Sequence, residues 1–570
     1  MEAIGVYIKP YWLRIAVGLV IKFLGTIMDL IIPWLLAYIV DDLMPAENIL
    51  AIFQAGGLMV LCSVIALTFN IKANRMAAGI SREITQKLRY DLFEHILYLP
   101  ARERDKFTSS SLISRLSTDT YHVHQLIEKS QRIGIRSPLL MLGGILFAFQ
   151  LEPKLATILL LIVPLLALVI LTITRRGIPL YTSTNEKIDQ LVRAVRESAI
   201  GIRVIKALSK ADREVDRFRT INEQVRDAST AAETTMALTA PAMTFLLNSG
   251  FLLVILLGAI AVNAGDTQPG KIMAFLSYFT IILNAVLSIR KIFVLWSKGS
   301  ASAQRISQVM STPREMPLGA RDYIEHRPFI SFENVFFSYN KKVDNLQGIS
   351  FSLQKGQTLG ITGPTGSGKT TLISLLMRFY DVDRGCIRIE GENLRGIHTN
   401  QLRRRFGAVF QNDILLADTI YENISFLRDL PIENVKKAAR TAQIADYIES
   451  LPQGYDTILD MRGANLSGGQ KQRLLIARAL AADPEILVLD DALSALDYRT
   501  DAALRRAIQK EYGHTTVVMV SQRISAIWEA DLILVLAEGR LVDAGAHEEL
   551  MARCDTYRKM VQLQMGGAAR

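Results

Sequence analysis

The chain contains few of the residues on which disulfide-bonded and zinc-binding proteins depend. Its 570 residues include only three cysteines, Cys62, Cys386 and Cys554, and these form no CxxC pair. Such scattered cysteines exclude a disulfide framework and a cysteine-based zinc site, and they fit a reducing cytoplasm. The first long apolar run also lacks a small-residue cleavage site, which favours a retained membrane anchor over a cleaved signal peptide.

Long apolar runs crowd the first 300 residues and then stop, although half of all residues in the chain are hydrophobic. A helix that crosses a bilayer needs about 20 mostly apolar residues. Six stretches meet this requirement, at about 12–40, 52–72, 133–151, 153–174, 238–263 and 271–296. We therefore expect residues 1–310 to form an all-α transmembrane domain of six long helices in a lipid bilayer.

Lysine and arginine are almost absent from the short links between spans, whereas the segments 71–132 and 175–236 are rich in both. This asymmetry predicts a multi-pass cell (inner) membrane protein, with the N-terminus, both long segments and everything after residue 297 in the cytoplasm. Basic residues such as Arg175 and Arg176 cluster beside the spans. The net charge of +10 therefore indicates a membrane protein, and no nucleic-acid partner is expected.

The two long basic segments show helical periodicity and continue the adjoining spans, which predicts helices that project beyond the membrane. Breaks near Pro100 and around 209–212 predict the turning points of these projections. We expect their tips near residues 100–106 and 209–214.

A change of pattern after residue 310 predicts a second domain. The stretch 311–328 holds three prolines and no apolar periodicity, which is typical of a linker. From 329 to 570, strand-like runs alternate with helical ones. This alternation predicts an α/β domain around a mostly parallel, buried sheet.

A phosphate-binding loop lies early in this second domain. The sequence GPTGSGKT at 363–370 follows a predicted strand and precedes a helical run, the context that a P-loop requires. Its backbone N–H groups suit phosphates, Lys369 suits the β and γ phosphates of ATP, and Thr370 suits Mg²⁺. The predicted ATP contacts in this segment are Gly363, Pro364, Thr365, Gly366, Ser367, Gly368, Lys369, Thr370 and Thr371.

A second motif narrows the class of nucleotide-binding protein. LSGGQKQR at 466–473 is followed by a helical run and by the strand EILVLDD, which contains Asp490 and Asp491. This order resembles the signature motif and Walker B strand of ABC ATPases. With six spans upstream, nearly the whole chain resembles the six-span (type IV) ABC exporters, which transport by alternating access. Six spans exclude the soluble ABC proteins, and importers usually carry the two domains on separate chains.

The resemblance implies roles for further residues. Tyr339 matches the aromatic residue that stacks on adenine, and Gln411 matches the Q-loop glutamine. Asp490 matches the metal-binding carboxylate, so Thr370, Gln411 and Asp490 are the implied Mg²⁺ ligands. The tips of the two projections match the coupling helices, which rest on the ATPase domains in that family.

The signature residues act on the ATP of another subunit in that family. Ser467, Gly468, Gly469 and Gln470 are therefore expected to cap the γ-phosphate held by a partner's P-loop. A helix begins directly after the serine, and its free N–H groups and positive dipole end suit an anion.

Three positions depart from the pattern of the family. Asp491 stands where a catalytic glutamate normally polarises water, and a shift of roughly 1 Å in such a group can cost about a hundredfold in rate. Gln522 replaces the switch histidine and cannot become cationic. Met461 replaces an acidic residue before the signature, although Asp460 is adjacent.

The first two departures resemble the degenerate-site subunit of bacterial heterodimeric multidrug ABC exporters, which implies a degenerate ATP site and a heterodimer. The partner is expected to be a second ABC half-transporter with glutamate and histidine at the matching positions, where most hydrolysis takes place. Two alternatives remain: a homodimeric exporter with slow ATPase activity, and an ATP-gated regulatory or channel-like subunit.

The substrate is predicted only as a class, hydrophobic or amphipathic drugs or lipids. Ionisable groups within membrane spans usually face a cavity or pair with one another. Lys22 and Asp29 are seven residues apart on one helix face, where they can line a polar track or contact a neighbouring helix. The other candidates in spans are Asn248, Asn284, Arg290, Phe275, Tyr278 and Phe279, of which the aromatic residues suit either a ligand or a helix interface.

Overall fold

Long apolar helices dominate the N-terminal half of the chain. The computed structural model describes residues 2–325, 327–411 and 413–565. These residues form two compact units. The first comprises residues up to Leu97 together with Ser109–Ser311, and the second comprises Tyr98–Thr108 together with the described residues from Thr312 onward.

Six helical stretches of the described chain are long and apolar enough to cross a membrane. They have 40–53 residues each, at least twice the about 20 that a bilayer requires. Each predicted span lies within one of them, and the excess length corresponds to the predicted projections. The six stretches are Ile4–Leu43, Ile49–Tyr98, Ser109–Leu151, Pro153–Ile200, Ala211–Asn263 and Pro269–Met310.

Several of these stretches contain short 3₁₀ or π-helical turns, so their α-helical segments are shorter. The α-helices of the first unit are Glu2–Ile8, Trp12–Tyr38, Ile49–Tyr98, Ser109–Ser114, Thr120–Lys129, Arg136–Leu151, Pro153–Ile200, Ile202–Ala207, Ala211–Ala237, Thr239–Asn263 and Pro269–Met310. The 3₁₀ turn is Lys9–Tyr11, and the π turns are Ile39–Leu43, Arg115–Asp119 and Ser130–Gly134.

The core of the first unit lies where Pro269–Met310 packs against Arg136–Leu151 and Trp12–Tyr38. Phe275, Tyr278 and Phe279 are all 0% exposed in this core, and the Tyr278 hydroxyl donates to the Leu30 carbonyl at 2.6 Å. Of the two roles considered for these aromatic residues, the structure therefore shows helix packing.

Two of the candidate polar residues in the spans, Lys22 and Asp29, contact neighbouring helices. The Lys22 ammonium is 2% exposed and donates to Asn74 at 3.0 Å. Asp29 accepts from Arg136 at 2.9 Å. Asn248 and Asn284 are exposed in this chain, and the side chain of Arg290 lies outside the described residues. The Asn70 amide also donates to Asp29 at 3.5 Å, so Lys22 and Asp29 both contact the helix Ile49–Tyr98. They form no ion pair with each other within the described residues.

Two sheets organise the second unit. The strands are β1 (Ile330–Phe337), β2 (Leu346–Leu353), β3 (Thr358–Thr362), β4 (Arg384–Ile389), β5 (Glu392–Asn393), β6 (Phe406–Val409), β7 (Ile486–Asp490), β8 (Thr516–Val520), β9 (Leu532–Ala537) and β10 (Arg540–Gly545). The larger sheet has the order β10-β9-β3-β8-β7-β6. Its strands are parallel from β9 to β6, and only β10 runs antiparallel. The predicted mostly parallel sheet is therefore present.

The smaller sheet differs from the prediction of one sheet. Strands β2, β1, β4 and β5 pair in this order, and every pairing is antiparallel. The strand-like runs FISFENVFFSY and CIRIEG, expected in the mostly parallel sheet, therefore contribute β1 and β4 to the antiparallel sheet, and β2 was not predicted. The sequence does contain a signal for this strand, since residues 349–353 (ISFSL) alternate apolar and polar side chains as a half-buried strand does.

The helices of the second unit surround these sheets. They are Ala101–Arg104, Lys369–Leu376, Thr399–Arg404, Ile420–Ser425, Ile432–Thr441, Ala445–Glu449, Gly468–Leu480, Tyr498–Glu511, Ile524–Ile527, His547–Arg553 and Asp555–Met565, with 3₁₀ turns at Leu394–Gly396, Gly454–Asp456 and Met461–Gly463.

The two predicted tips have different outcomes. Pro100 precedes the short helix Ala101–Arg104, within the predicted tip at 100–106. The break predicted around 209–212 is present, because the helix Ile202–Ala207 ends before it and Ala211–Ala237 begins within it. The second short helix, Ile202–Ala207, nevertheless lies upstream of the predicted tip at 209–214. Gly201 ends the preceding helix with near-zero ψ, so the sequence expected to form one continuous helix is broken there.

Candidate nucleotide site

Four neighbouring parallel strands end at the same edge of the larger sheet, and their continuations form the candidate site. The P-loop follows β3, Gln522 lies two residues after β8, Asp490 ends β7, and Gln411 lies two residues after β6. The carboxyl ends of such strands are the usual place for a ligand in an open α/β sheet. A cavity of about 290 Å³ lies there, lined by Asn345, Thr365, Gly366, Gly368, Lys369, Thr370, Thr371, Gln411, Asp490, Asp491, Val520 and Gln522.

The P-loop is shaped by its glycines and its lysine. Gly363, Gly366 and Gly368 have φ angles of 148°, 82° and 101°, which side-chain-bearing residues rarely adopt. The Lys369 ammonium donates to the carbonyls of Gly363 and Pro364, both at 2.8 Å. These bonds hold the lysine head beside the loop at the start of the helix Lys369–Leu376, where free N–H groups suit phosphate.

A buried hydroxyl in the loop also suits an anionic ligand. Ser367 is 2% exposed, and its Oγ has no hydrogen-bond partner within the described residues. Buried polar atoms are nearly always hydrogen-bonded in proteins. Phosphate oxygens near this loop therefore fit the unused capacity of the hydroxyl.

Oxygen-bearing side chains of three elements meet in the cavity. Thr370, Gln411 and Asp490 bring a hydroxyl, an amide and a carboxylate, and hard oxygen donors are the ligands that Mg²⁺ prefers. Burial raises the pKa of Asp490, repulsion from Asp491 adds to the shift, and a hydrogen bond from Thr370 opposes it. A divalent cation would stabilise the ionised carboxylate, so Thr370, Gln411 and Asp490 fit Mg²⁺ and would hold it, and the ion would supply positive charge to the phosphates.

Asp491 and Gln522 lie in the same cavity as Lys369. The backbone of Asp491 has φ 53°, and its N–H donates to Val520 at 3.0 Å. Burial raises the pKa of Asp491, whereas nearby Arg523 and Lys369 lower it. Burial also lowers the pKa of Lys369, against the attraction of the two aspartates. The cavity thus combines one cation with two carboxylates.

Two residues that hold this region were not predicted from the sequence. Arg523 donates to the carbonyls of Ser494 at 2.8 Å and Leu496 at 3.2 Å, which fixes the loop after β7. Gln564, in the C-terminal helix, donates to the Gln522 carbonyl at 2.7 Å and accepts from Ile524 N–H at 2.9 Å. Arg523 adjoins a predicted site residue, but no sequence signal connects Gln564 with it.

Tyr339 lies beside the P-loop helix and is not among the residues that line the cavity. It is 44% exposed, and its hydroxyl is 3.4 Å from that of Thr371. The Tyr380 ring meets the Tyr339 ring edge-on, with centroids 5.1 Å apart. The Tyr380 hydroxyl donates to Asp105, which directly follows the helix Ala101–Arg104. A chain of contacts therefore runs from this helix to the P-loop helix.

The signature residues lie apart from the lining of this cavity. Ser467 caps the helix Gly468–Leu480 in a capping box: its hydroxyl accepts from Gln470 N–H at 3.3 Å, and the Gln470 side chain accepts from Ser467 N–H at 2.8 Å. Gly468 is exposed, and a Cβ built on it meets no atom within 4 Å. Met461, in the turn before the motif, is also exposed.

Comparison with protein families gives two matches in chain order. Residues 15–286 match the ABC transporter transmembrane region, and residues 346–494 match the ABC transporter family. The first region covers most of the six spans, and the second contains the P-loop, the signature and the Walker B strand.

Relatives match over nearly the full length. An uncharacterized ABC transporter ATP-binding protein of Bacillus subtilis is 34% identical over 564 residues, covering 98% of each chain. A fatty acid ABC transporter ATP-binding/permease protein of Mycobacterium bovis is 31% identical over 514 residues, covering 90% of this chain and 80% of that protein.

A solved structure of a bacterial Atm1-family ABC exporter with ATP bound superposes with a TM-score of 0.83 at 26% identity, covering 97% of this chain and 98% of that chain. The order of the two family regions and the six long helices agrees with this architecture. The chain therefore belongs to the ABC transporter family, as an exporter half-transporter whose ATPase domain binds ATP and drives transport.

Proposed function

We propose that the chain is one half of a heterodimeric exporter, in which its own Walker motifs form a degenerate ATP site. The observation that carries this proposal is the location of Asp491 and Gln522 in the same cavity as Lys369 and Asp490. Nucleotide-binding groups and altered catalytic groups thus share one site. Tyr339, the P-loop residues, Gln411 and Asp490 would bind MgATP, with Tyr339 against the adenine.

The chemistry of the two departures supports slow hydrolysis. Asp491 is one methylene shorter than glutamate, and a general base must lie within hydrogen-bond reach of the proton it removes. Gln522 donates and accepts hydrogen bonds but carries no charge toward the γ-phosphate. Two weakened groups at one site would leave ATP bound for longer, as a clamp between subunits.

The signature supports the complementary half of the proposal. Ser467 and Gly468 are exposed at the start of a 13-residue helix, where free N–H groups and the helix dipole favour an anion. These residues would complete the partner's ATP site. The partner is a second half-transporter with glutamate and histidine at the positions of Asp491 and Gln522, and it performs most of the hydrolysis.

The proposed substrates are hydrophobic or amphipathic small molecules or lipids. Large apolar side chains such as Leu161 and Phe245 are 70% and 72% exposed on the long helices, which suits contact with a bilayer. The name of the Mycobacterium bovis relative adds fatty acids as a substrate class. We place the chain in the cell (inner) membrane, with its N-terminus and ATPase domain in the cytoplasm.

Coupling between ATP and transport is proposed to pass through the tip at 100–106. Asp105, Tyr380 and Tyr339 are linked by a hydrogen bond and an edge-on ring contact. A movement of Tyr339, the residue proposed to lie against the adenine, would therefore be transmitted to the tip at 100–106. We expect Tyr380→Phe to reduce substrate transport several-fold while MgATP affinity stays near that of the wild type, because only the hydroxyl is lost. Transport assays in vesicles with parallel nucleotide titrations test this, and unchanged transport contradicts it.

ATP turnover tests the asymmetry of the two sites. The full chain purified alone is expected to bind MgATP and to hydrolyse it slowly, whereas the complex with its partner turns over fast. In the complex, Asp491→Ala should cause only a minor loss of ATPase activity, because the other site does most of the chemistry. The partner's own glutamate changed to alanine is the matched control and should remove most activity.

Other outcomes select the alternatives. Fast turnover by the chain alone, or near-complete loss on Asp491→Ala, shows that Asp491 is a working base in an active homodimer. ATP binding without ATP-driven uptake into vesicles by the complex indicates a regulatory or channel-like subunit.

A further inference from the structure

A cleft between two helices of the first unit is lined almost entirely by polar and cationic side chains. It has a volume of about 500 Å³, within the usual range of roughly 300–1,000 Å³ for small-molecule pockets. It lies between Ile49–Tyr98 and Thr120–Lys129, beyond the apolar part of either stretch. The lining residues are Arg82, Thr85, Gln86, Arg89, Tyr121 and His124.

Helix geometry explains why these side chains converge. Positions 82, 85, 86 and 89 follow the spacing i, i+3, i+4, i+7, so they form one stripe on their helix. Positions 121 and 124 are i and i+3 on the facing helix. Two hydrogen bonds join the facing helices: Thr85 Oγ1 lies 3.1 Å from His124 Nδ1, and Arg89 Nε donates to Thr120 at 2.9 Å.

These bonds also define which atoms are left for a ligand. The Thr85 hydroxyl donates to the Ser81 carbonyl at 2.7 Å, so its oxygen accepts from His124 Nδ1. Nε2 of His124 then has no protein partner within the described chain. Because Arg89 is held through Nε, its two terminal amino groups can point together at one ligand.

Cations outnumber anions around the cleft. Its lining contains two arginines and no carboxylate, and neither Arg82 nor Arg89 forms an ion pair in the part of the chain that the structure describes. The nearby carboxylates are already engaged, since Glu83 pairs with Arg14 at 2.8 Å and Asp119 pairs with Arg305. Two arginines on one stripe that form no ion pair within the described residues therefore favour an anion.

We propose that this cleft binds the anionic headgroup of an amphiphilic substrate. Guanidinium groups bind carboxylate and phosphate oxygens through paired, charge-assisted hydrogen bonds. Arg82 and Arg89 supply the charge, Gln86 and His124 supply further polar contacts, and the Tyr121 ring offers an apolar surface. The site rests on the proposed export of amphipathic molecules and names their class, an oxyanion on an acyl chain.

Binding to the full chain in nanodiscs, as it assembles on purification, tests the site. The probes are oleate, oleoyl lysophosphatidate and, as a neutral match, oleyl alcohol. We expect the wild type to bind at least one of the two anions about tenfold more tightly than the alcohol. Which anion binds distinguishes a fatty carboxylate from a lipid phosphate.

Variants localise the site. The double variant Arg82→Gln/Arg89→Gln should weaken anion binding about tenfold or more. The double variant Arg82→Lys/Arg89→Lys should have an anion affinity between that of the glutamine variant and the wild type, because lysine keeps the positive charge but lacks the paired N–H donors of a guanidinium group. Lys87→Gln removes a cation from the same helix outside this lining and should change binding less than twofold. If the double glutamine variant fails to fold, Arg82→Gln alone replaces it, because Arg82 forms no hydrogen bond within the described residues. Unchanged thermal unfolding of the full chain verifies each fold.

Several results would overturn the site: no binding of either anion, equal binding of oleyl alcohol, or anion binding that survives both arginine replacements. These results leave the degenerate ATP site intact, because that proposal depends on turnover. Conversely, fast ATP turnover by the chain alone would contradict the proposed asymmetry of the two ATP sites. It would not affect the headgroup site, which depends on the binding of the anionic probes.

Discussion

At the scale of single residues, we propose that nucleotide binding and hydrolysis are separated in this protein. Lys369, Thr370 and Asp490 lie in one cavity with Asp491 and Gln522. The first three suit phosphate and Mg²⁺, whereas the last two lack the reach or the charge of the usual catalytic pair. The proposed defect therefore concerns two side chains that occupy an otherwise complete site.

Restoring both groups should restore hydrolysis at this site. Asp491→Glu/Gln522→His is expected to raise ATP turnover of the chain alone by about 10- to 100-fold, because the carboxylate then reaches the water and the imidazole contacts phosphate. Glutamate at φ 53° is less favourable than aspartate, so a loss of about 1 kcal/mol in the free energy of unfolding is also expected.

Steady-state ATPase assays and denaturant unfolding measure the two effects. Asp491→Asn/Gln522→His is the matched control, because it has no carboxylate and should gain nothing. A double variant with glutamate and histidine that remains as slow as the wild type would show that the defect lies elsewhere.

At the scale of elements, strand order assembles the site and a close backbone contact fixes its loop. Strands β3, β8, β7 and β6 are neighbours, so residues separated by more than 100 positions meet at one edge. Gly363 connects β3 with the P-loop at φ 148°, and a Cβ placed on it would be 2.1 Å from the Leu536 carbonyl oxygen of β9.

Gly363→Ala should therefore destabilise the second unit. Backbone strain and overpacking together predict a loss of roughly 2–5 kcal/mol in its free energy of unfolding. Gly366→Ala is the control in the same loop: its φ is 82°, but no atom lies within 4 Å of the added Cβ, so only about 1–2 kcal/mol is expected. Thermal unfolding of the full chain compares them, and equal losses would contradict a steric role for Leu536.

At the scale of the whole molecule, the proposed function is asymmetric, and Gly468 offers a probe of it. The residue is exposed, and a side chain added there meets nothing in its own chain. Gly468→Asp should leave this chain folded and its own MgATP affinity unchanged. In the complex it should reduce ATPase activity at least tenfold, because the carboxylate would face the γ-phosphate in the partner's site.

Two controls sharpen this prediction. The equivalent substitution in the partner's signature acts on the degenerate site and should cost much less activity. Gly454→Asp places a charge at another glycine with open surroundings outside the motif, and it should leave turnover unchanged. Equal effects of the two signature substitutions would indicate two equivalent ATP sites.

The sequence predicted correctly those features that depend on the backbone conformation and spacing of residues close together in the chain. The P-loop, the signature and the Walker B strand are each contiguous, so glycine placement and an apolar strand reveal them. The six long helices follow from apolar length alone. In contrast, β2 was missed although residues 349–353 alternate, and the break at Gly201 moves the second short helix to Ile202–Ala207. Helical periodicity on both sides of a glycine does not indicate whether the helix continues.

The sequence by itself determined the family, the order of the two domains and the identity of the altered residues Asp491 and Gln522. Only the tertiary structure decided which distant groups meet. It brought Gln564 to the Gln522 loop, Tyr380 between Asp105 and Tyr339, and Arg82 opposite His124. The physical reason is that motifs depend on neighbouring residues along the chain, whereas these contacts depend on strand order and on which faces of long helices pack together.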